Sequence, residues 1–178
     1  MEETIAKMKP AQKPTELKKP PKPYPFNFVS RQEWGALEPT GKIEPIDHPI
    51  EYFGYKFSNT DPCISRTACL KNIKELQKYH MFAKDLPDIA YNFIVGGDLS
   101  IYEGRGWFLK PTYLDDKLRE YDGKYLSIGY MGLEGAGIDR NFYCIEILDI
   151  RDDLILYGIE HGYLDENARY DRIDVWNQ

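Results

Sequence analysis

At 178 residues, 42% of them apolar, the chain is long enough for one domain of about 150 residues with a buried core, plus an extension. No apolar run approaches the ~20 residues that span a membrane, so the domain itself is not membrane-embedded. The net charge of −6 argues against a nucleic-acid groove.

Residues 1–28 read as a linker and 29–178 as the folded domain. Up to Phe26 the chain carries six prolines and six lysines against Glu2, Glu3 and Glu16, which leaves the acidity to the body. Such a stretch offers little apolar area to bury and predicts a semi-rigid, extended segment. A basic arm for nucleic acid or anionic lipid is the sharper alternative, disfavoured because the prolines spread the charge. Met1 to Pro25 lacks the apolar core of a signal peptide, which leaves a cytosolic protein or a piece of a longer secreted or anchored one.

Val29 to Ala36 opens the domain, with Ser30 placed as an N-cap over a short turn that buries Trp34. Pro45 to Pro49 reads as a loop leading into a strand, Ile50 to Phe57. Thr67 to Phe82 has helical spacing, with Ala68, Ile73, Leu76, Gln77 and His80 recurring at three and four. A β-hairpin follows. Its first apolar run, Asp88 to Val95, ends in Gly96-Gly97-Asp98, and the second, from Ile101, ends in Gly104-Arg105-Gly106-Trp107. An irregular polar segment, Phe108 to Lys124, precedes a strand, Leu126 to Met131. Asn141 to His161 reads as a helix, apolar at Ile147, Ile150, Leu154 and Ile155 and closed by Gly162. Glu166 to Trp176 reads as a last short helix. Strand, helix, hairpin, strand, helix predicts an α/β fold with a mixed central sheet flanked by helices.

Cys63 and Cys69 lie six apart, too wide for a zinc knuckle and without a histidine at finger spacing. A short disulfide loop, implying an oxidising compartment, is a better reading than two free thiols in a cytosolic protein. Cys144, beside Ile145, reads as a buried free thiol. The histidines, His48, His80 and His161, are dispersed singles at no ligand spacing.

The run from Asp88 to Trp107 resembles the signature hairpin of the peptidoglycan-recognition protein family, relatives of the phage-type zinc amidases. The likeness extends to Val29-Ser30-Arg31 with Trp34-Gly35-Ala36, to Glu44 through Pro49, and to Tyr79-His80-Met81. It continues in Ser127-Ile128-Gly129 and Gly162-Tyr163-Leu164, and Cys63 and Cys69 stand where the family keeps a disulfide. The resemblance implies an amidase-like fold, here with a shortened C-terminal region, and an L-shaped cleft for the muramyl peptide of peptidoglycan. In catalytic members it also implies a Zn²⁺ that activates water to cut the bond between N-acetylmuramic acid and L-alanine.

Against that pattern the metal ligands are missing. The family's first histidine, at the end of the strand before the disulfide, corresponds to Phe57. The later ligands follow Gly-Tyr-Leu. Either Tyr170 to Trp176 matches the family's terminal helix and the ligand loop is deleted, or an ungapped alignment puts Ile173 at the histidine position. The resemblance therefore implies a domain with no zinc, no other cofactor and no catalytic residues.

Residual cleft residues are Tyr91, Arg105, Trp107 and Tyr113, the last where non-catalytic members carry a histidine. Asp85 and Leu86 replace a Gly-Trp pair, and Leu126 replaces an arginine, both associated with diaminopimelic-acid peptides. An insertion, Leu114 to Glu120, adds bulk and acidic charge. Weak or no peptidoglycan binding follows, and Tyr113, Leu114, Leu118 and Tyr121 become a candidate partner surface. The pattern resembles the second, degenerate ectodomain of an insect long-form, membrane-anchored member. It implies an extracellular regulator, negative in sign, whose partner is another ectodomain of the family. The alternative is a non-catalytic muropeptide receptor module.

Overall fold

The computed structural model describes residues 17–112, 116–132 and 140–170. In chain order the elements are β1 (Phe28–Val29), α1 (Arg31–Trp34), β2 (Ile50–Phe57), α2 (Arg66–Lys78) and a π-turn (Tyr79–Ala83). Then come β3 (Phe93–Val95), β4 (Ile101–Glu103), a 3-10 turn (Asp116–Tyr121), β5 (Tyr125–Tyr130), α3 (Arg140–Glu160) and β6 (Leu164–Tyr170). The strands form one sheet in the order β1-β4-β3-β5-β2-β6. Among the described residues β3–β4 pairs antiparallel and the other strand pairs are parallel, so the sheet is mixed, as the α/β reading expects.

Strand alternation divides the core in two. Phe93, Val95, Leu126, Ile128 and Tyr130 point to the side covered by Ile147, Leu154 and Tyr157 of α3. Ile94 and Tyr102 point to the side covered by Cys69, Ile73 and Leu76 of α2. No helix among the described residues is long and apolar enough to cross a membrane.

Local chemistry accounts for the element ends. The Ser30 hydroxyl accepts from Glu33 N–H at 3.3 Å while Ser30 N–H donates to the Glu33 carboxylate at 2.7 Å, a capping box that starts α1. Those bonds hold the Glu33 carboxyl below its ordinary range. The buried Trp34 donates its indole N–H to Glu103 O at 2.8 Å, tying α1 to β4. Ser65 caps α2, and the Cys63–Cys69 disulfide, with Cα atoms 5.1 Å apart, fastens the preceding loop to its first turn. Asn72 adds a bond from its side-chain amide to Asp61 O at 2.6 Å.

Two expectations change. The segment expected to be a helix from Glu166 is, through Tyr170, the strand β6, running parallel to β2 with Ile50 opposite Leu164 and Phe53 opposite Tyr170. The Tyr170 ring stacks on Tyr55 of β2 at 4.5 Å, so its apolar face is spent on the sheet. Residues 171–176 of that expected helix, Ile173 included, lie outside the described residues. The N-terminal segment also differs. Leu17, Tyr24, Phe26 and Phe28 pack on the α3-side core, Tyr24 lying 4.9 Å from the Tyr157 ring, and the Tyr163 hydroxyl donates to Lys18 O. Lysine and proline dominate the composition there, but these aromatics decide where the chain lies.

Candidate functional site

Opposite α3, the β5–β2 half of the sheet presents its other face. Register places Tyr52, Gly54 and Lys56 of β2 beside Tyr125, Ser127 and Gly129 of β5, all with side chains on this side. Gly54, Ser127 and Gly129 keep the middle of this floor low, between Tyr52 and Tyr125 at one end and Lys56 at the other. A methyl group at Gly129 would come within 3.0 Å of the Tyr91 ring, which fills that space. Tyr91 is 2% exposed, its ring 5.8 Å from His80, and burial raises its hydroxyl pKa well above 10.

Asn92 fixes the geometry. Its side-chain oxygen accepts from Ser127 N–H at 2.8 Å, and its amide donates to Gly106 O at 2.9 Å and Leu109 O at 2.8 Å. At one end of the floor the Tyr121 ring lies 4.5 Å from Tyr52. At the other stands Lys56. Arg169 of β6, in register with Tyr52, adds a second cation to the same face. Among the described residues neither cation makes an ion pair or a hydrogen bond.

Arg105 is committed elsewhere. It is 7% exposed and donates to Ile89 O at 2.6 Å, Lys110 O at 2.8 Å, Thr112 Oγ1 at 2.7 Å and Asp88 O at 3.4 Å. Burial lowers its pKa to about 10, which leaves it charged at neutral pH. The neighbouring Asp88 carboxylate is taken by Arg31 at 2.9 Å, Gln77 at 2.8 Å and Ile89 N–H at 2.7 Å. The guanidinium thus locks the hairpin to the segment before it. Trp107 lies on the opposite side of the sheet, in the α3-side core, 4.7 Å from Phe93 and 5.1 Å from Tyr163.

Among the described residues, those predicted for the site therefore do not converge. Phe57 packs on the α3 side with Tyr130, 5.8 Å between rings, and Tyr91 sits on the α2 side. The β2 residue that shares Tyr91's face is Lys56, missed by the motif comparison although period-two alternation along Ile50–Phe57 carries the signal. Tyr113, Leu114 and the side chain of Leu118 lie outside the described residues.

The described residues of this site do not fit a metal. Phe57 has no donor atom, and Lys56 brings positive charge to the face where a cation would lie. Each histidine is bound to the main chain. His48 Nε2 meets Trp107 O at 2.8 Å, His161 Nδ1 meets Tyr157 O at 2.9 Å, and His80 Nδ1 accepts from Ala90 N–H at 3.0 Å. Among the described residues no group of three or more His, Cys, Asp or Glu side chains is placed to hold a metal ion.

A second concavity, about 600 Å³, lies at the far edge of the sheet, lined by Phe26, Phe28, Ile64, Arg66 and Asp98. Its charges are already engaged, Arg66 with Ser100 at 3.2 Å and over the Tyr102 ring, Asp98 with the Tyr102 hydroxyl at 2.7 Å.

No protein-family model matches the chain. Among curated proteins it is 33% identical over 142 residues to peptidoglycan-recognition protein 2 of Holotrichia diomphalia, covering 80% of this chain and 71% of that protein. It is also 33% identical over 107 residues to peptidoglycan-recognition protein LC of Drosophila melanogaster, 60% of this chain but only 20% of that longer protein. Among solved structures, the ectodomain of the Drosophila transmembrane receptor PGRP-LCa superposes with a TM-score of 0.73 at 28% identity, over 81% of this chain and 83% of that one. Peptidoglycan recognition protein-LE in complex with tracheal cytotoxin, a monomeric diaminopimelic acid-type peptidoglycan, gives 0.72 at 26% identity, over 80% and 79%.

Proposed function

This chain belongs to the peptidoglycan-recognition protein family, and from that premise we propose that it is a non-hydrolytic domain of innate immune peptidoglycan signalling. It acts as a regulator, negative in sign, through contacts with another ectodomain of the family. The observation that carries the non-hydrolytic reading is the exchange of a metal donor for carbon. Phe57 closes β2 with an apolar ring turned into the α3-side core, and Lys56 occupies the neighbouring place on the cleft face. Water activation by zinc needs three protein ligands and an open position, and this strand end supplies none of them. With Arg105 saturated by main-chain acceptors, a muropeptide carboxylate also loses its charged partner there.

An extracellular setting accords with the Cys63–Cys69 disulfide and with the receptor ectodomain among the structural relatives. Attachment to a membrane, the place as second ectodomain of a long-form member, and the partner surface around Tyr113, Leu114, Leu118 and Tyr121 belong to the same proposal.

A second reading, a muropeptide receptor, is favoured by one feature. Lys56 and Arg169 are two uncommitted cations on a glycine-floored face, a suitable setting for an anionic peptide, and one relative was solved with such a ligand. Calorimetric titration with diaminopimelic- and lysine-type muropeptides, with and without Zn²⁺, separates the two. Silence in every titration supports the regulator. Micromolar binding that Lys56→Glu abolishes supports the receptor.

A further inference from the structure

Two helical faces on opposite sides of the sheet remain to be accounted for, and they are complementary. On α2 and the π-turn, Lys71, Lys74, Lys78 and Phe82 recur at three and four residues along one exposed stripe, with Lys71 3.9 Å from the Glu75 carboxylate and Lys74 and Lys78 supplying the excess positive charge. The π-turn buries His80 and Met81 and turns Tyr79 and Phe82 outwards, 52% and 71% exposed. Lys84 lies over the Tyr79 ring at 5.6 Å and enlarges the cationic area. On α3, Asp149, Asp153, Leu156 and Glu160 form an exposed stripe of the same length with the opposite charge, Leu156 being 56% exposed.

Each stripe runs 12 residues, about 16 Å of helix from first to last Cα. Laid antiparallel, Lys78 meets Asp153, Lys71 meets Glu160, and Phe82 meets the Leu148–Asp149 end, where Leu148 is 38% exposed. On a chain of net charge −6, Lys71, Lys74, Lys78 and Lys84 give one exposed surface that matches its own acidic helix. We propose that this chain binds a second copy of itself head to tail, the α2/π-turn face of one molecule docking on the α3 face of the next. The two faces are different surfaces, so the contact is heterologous and can extend to a third copy. It leaves the Tyr91 face of the sheet open and is independent of any ligand there.

The test is sedimentation equilibrium of the full chain from about 10 μM to about 1 mM, the range of weak, small contacts. The mean mass is expected to rise with concentration and to fall back as salt screens the pairs. Phe82→Ala and Lys78→Glu each weaken association about tenfold or more, the effect of losing an interface anchor. Asp153→Lys alone does the same, and the double variant Lys78→Glu/Asp153→Lys restores it. All three positions are exposed, so circular dichroism and thermal melting show the variants folded. A monomer at every concentration overturns the proposal. So does association that neither charge reversal changes, or a double variant no better than the singles.

Discussion

Arg105→Ala separates a structural guanidinium from a ligand anchor. Three of its bonds, to Ile89 O, Lys110 O and Thr112 Oγ1, are between 2.6 and 2.8 Å, and the side chain is almost wholly buried. Charge-assisted bonds of this kind are each worth about 1.5 kcal/mol or more net, which puts truncation near 4 kcal/mol. That is a large share of the roughly 5–15 kcal/mol by which a domain is stable. Arg105→Lys keeps the charge, but a single ammonium cannot reach acceptors spread over two segments, 88–89 and 110–112, so it recovers less than half of the loss. Urea unfolding followed by tryptophan fluorescence reads the effect as a midpoint shift of about 2 M for a slope near 2 kcal/mol/M. A variant within about 0.5 kcal/mol of the parent would refute the structural assignment and return Arg105 to the cleft.

Other perturbations follow from the same contacts. Burial, with the Arg105 and Lys84 charges, lowers His80 to about 4, and its Nδ1 must be unprotonated to accept from Ala90 N–H. The unfolded chain protonates first, so this stability is whole above about pH 6.5 and is lost as pH falls towards 4, by up to about 3 kcal/mol. Denaturant midpoints measured against pH show that slope, and His80→Asn, which keeps an acceptor but does not titrate, flattens it. Replacing Cys63 and Cys69 together by alanine costs about 2 kcal/mol for so short a loop, seen as the same shift that reductant produces in the parent. In Gly104→Ala the new methyl group would collide with Tyr91 O. Main chain cannot yield there cheaply, so a loss above about 3 kcal/mol or failure to fold is expected in circular dichroism.

Much of this architecture was legible in the residues. The alternation bounded by Pro49 and Ser58 delimits β2, Ser30 with Glu33 announces a capping box, and the Gly-Gly-Asp turn between apolar runs places the hairpin. Tyr170, Ile173 and Trp176 are spaced as on a helix, and that local pattern outweighed the chance to extend the sheet. The strand won as far as Tyr170 because β2 offers a free edge and a ring for Tyr170 to stack on. Composition likewise concealed Tyr24 and Phe26 among lysines and prolines, although two aromatics beside a strand are enough to dock a segment. The site was harder to read because motifs give positions and not directions. Phe57 and Tyr91 are both family positions, yet strand alternation sends them to opposite faces. The saturation of Arg105 depends on carbonyls brought together only by folding.

The proposal that this domain does not hydrolyse peptidoglycan, unlike the zinc amidases its hairpin resembles, rests on Phe57 and Lys56 at the end of β2. Incubating it with diaminopimelic- and lysine-type muropeptides, with added Zn²⁺ or with chelator, and separating the products tests this directly. Intact muropeptide is expected under all conditions. Release of free peptide by cleavage between N-acetylmuramic acid and L-alanine, lost with chelator and restored by Zn²⁺, would contradict it.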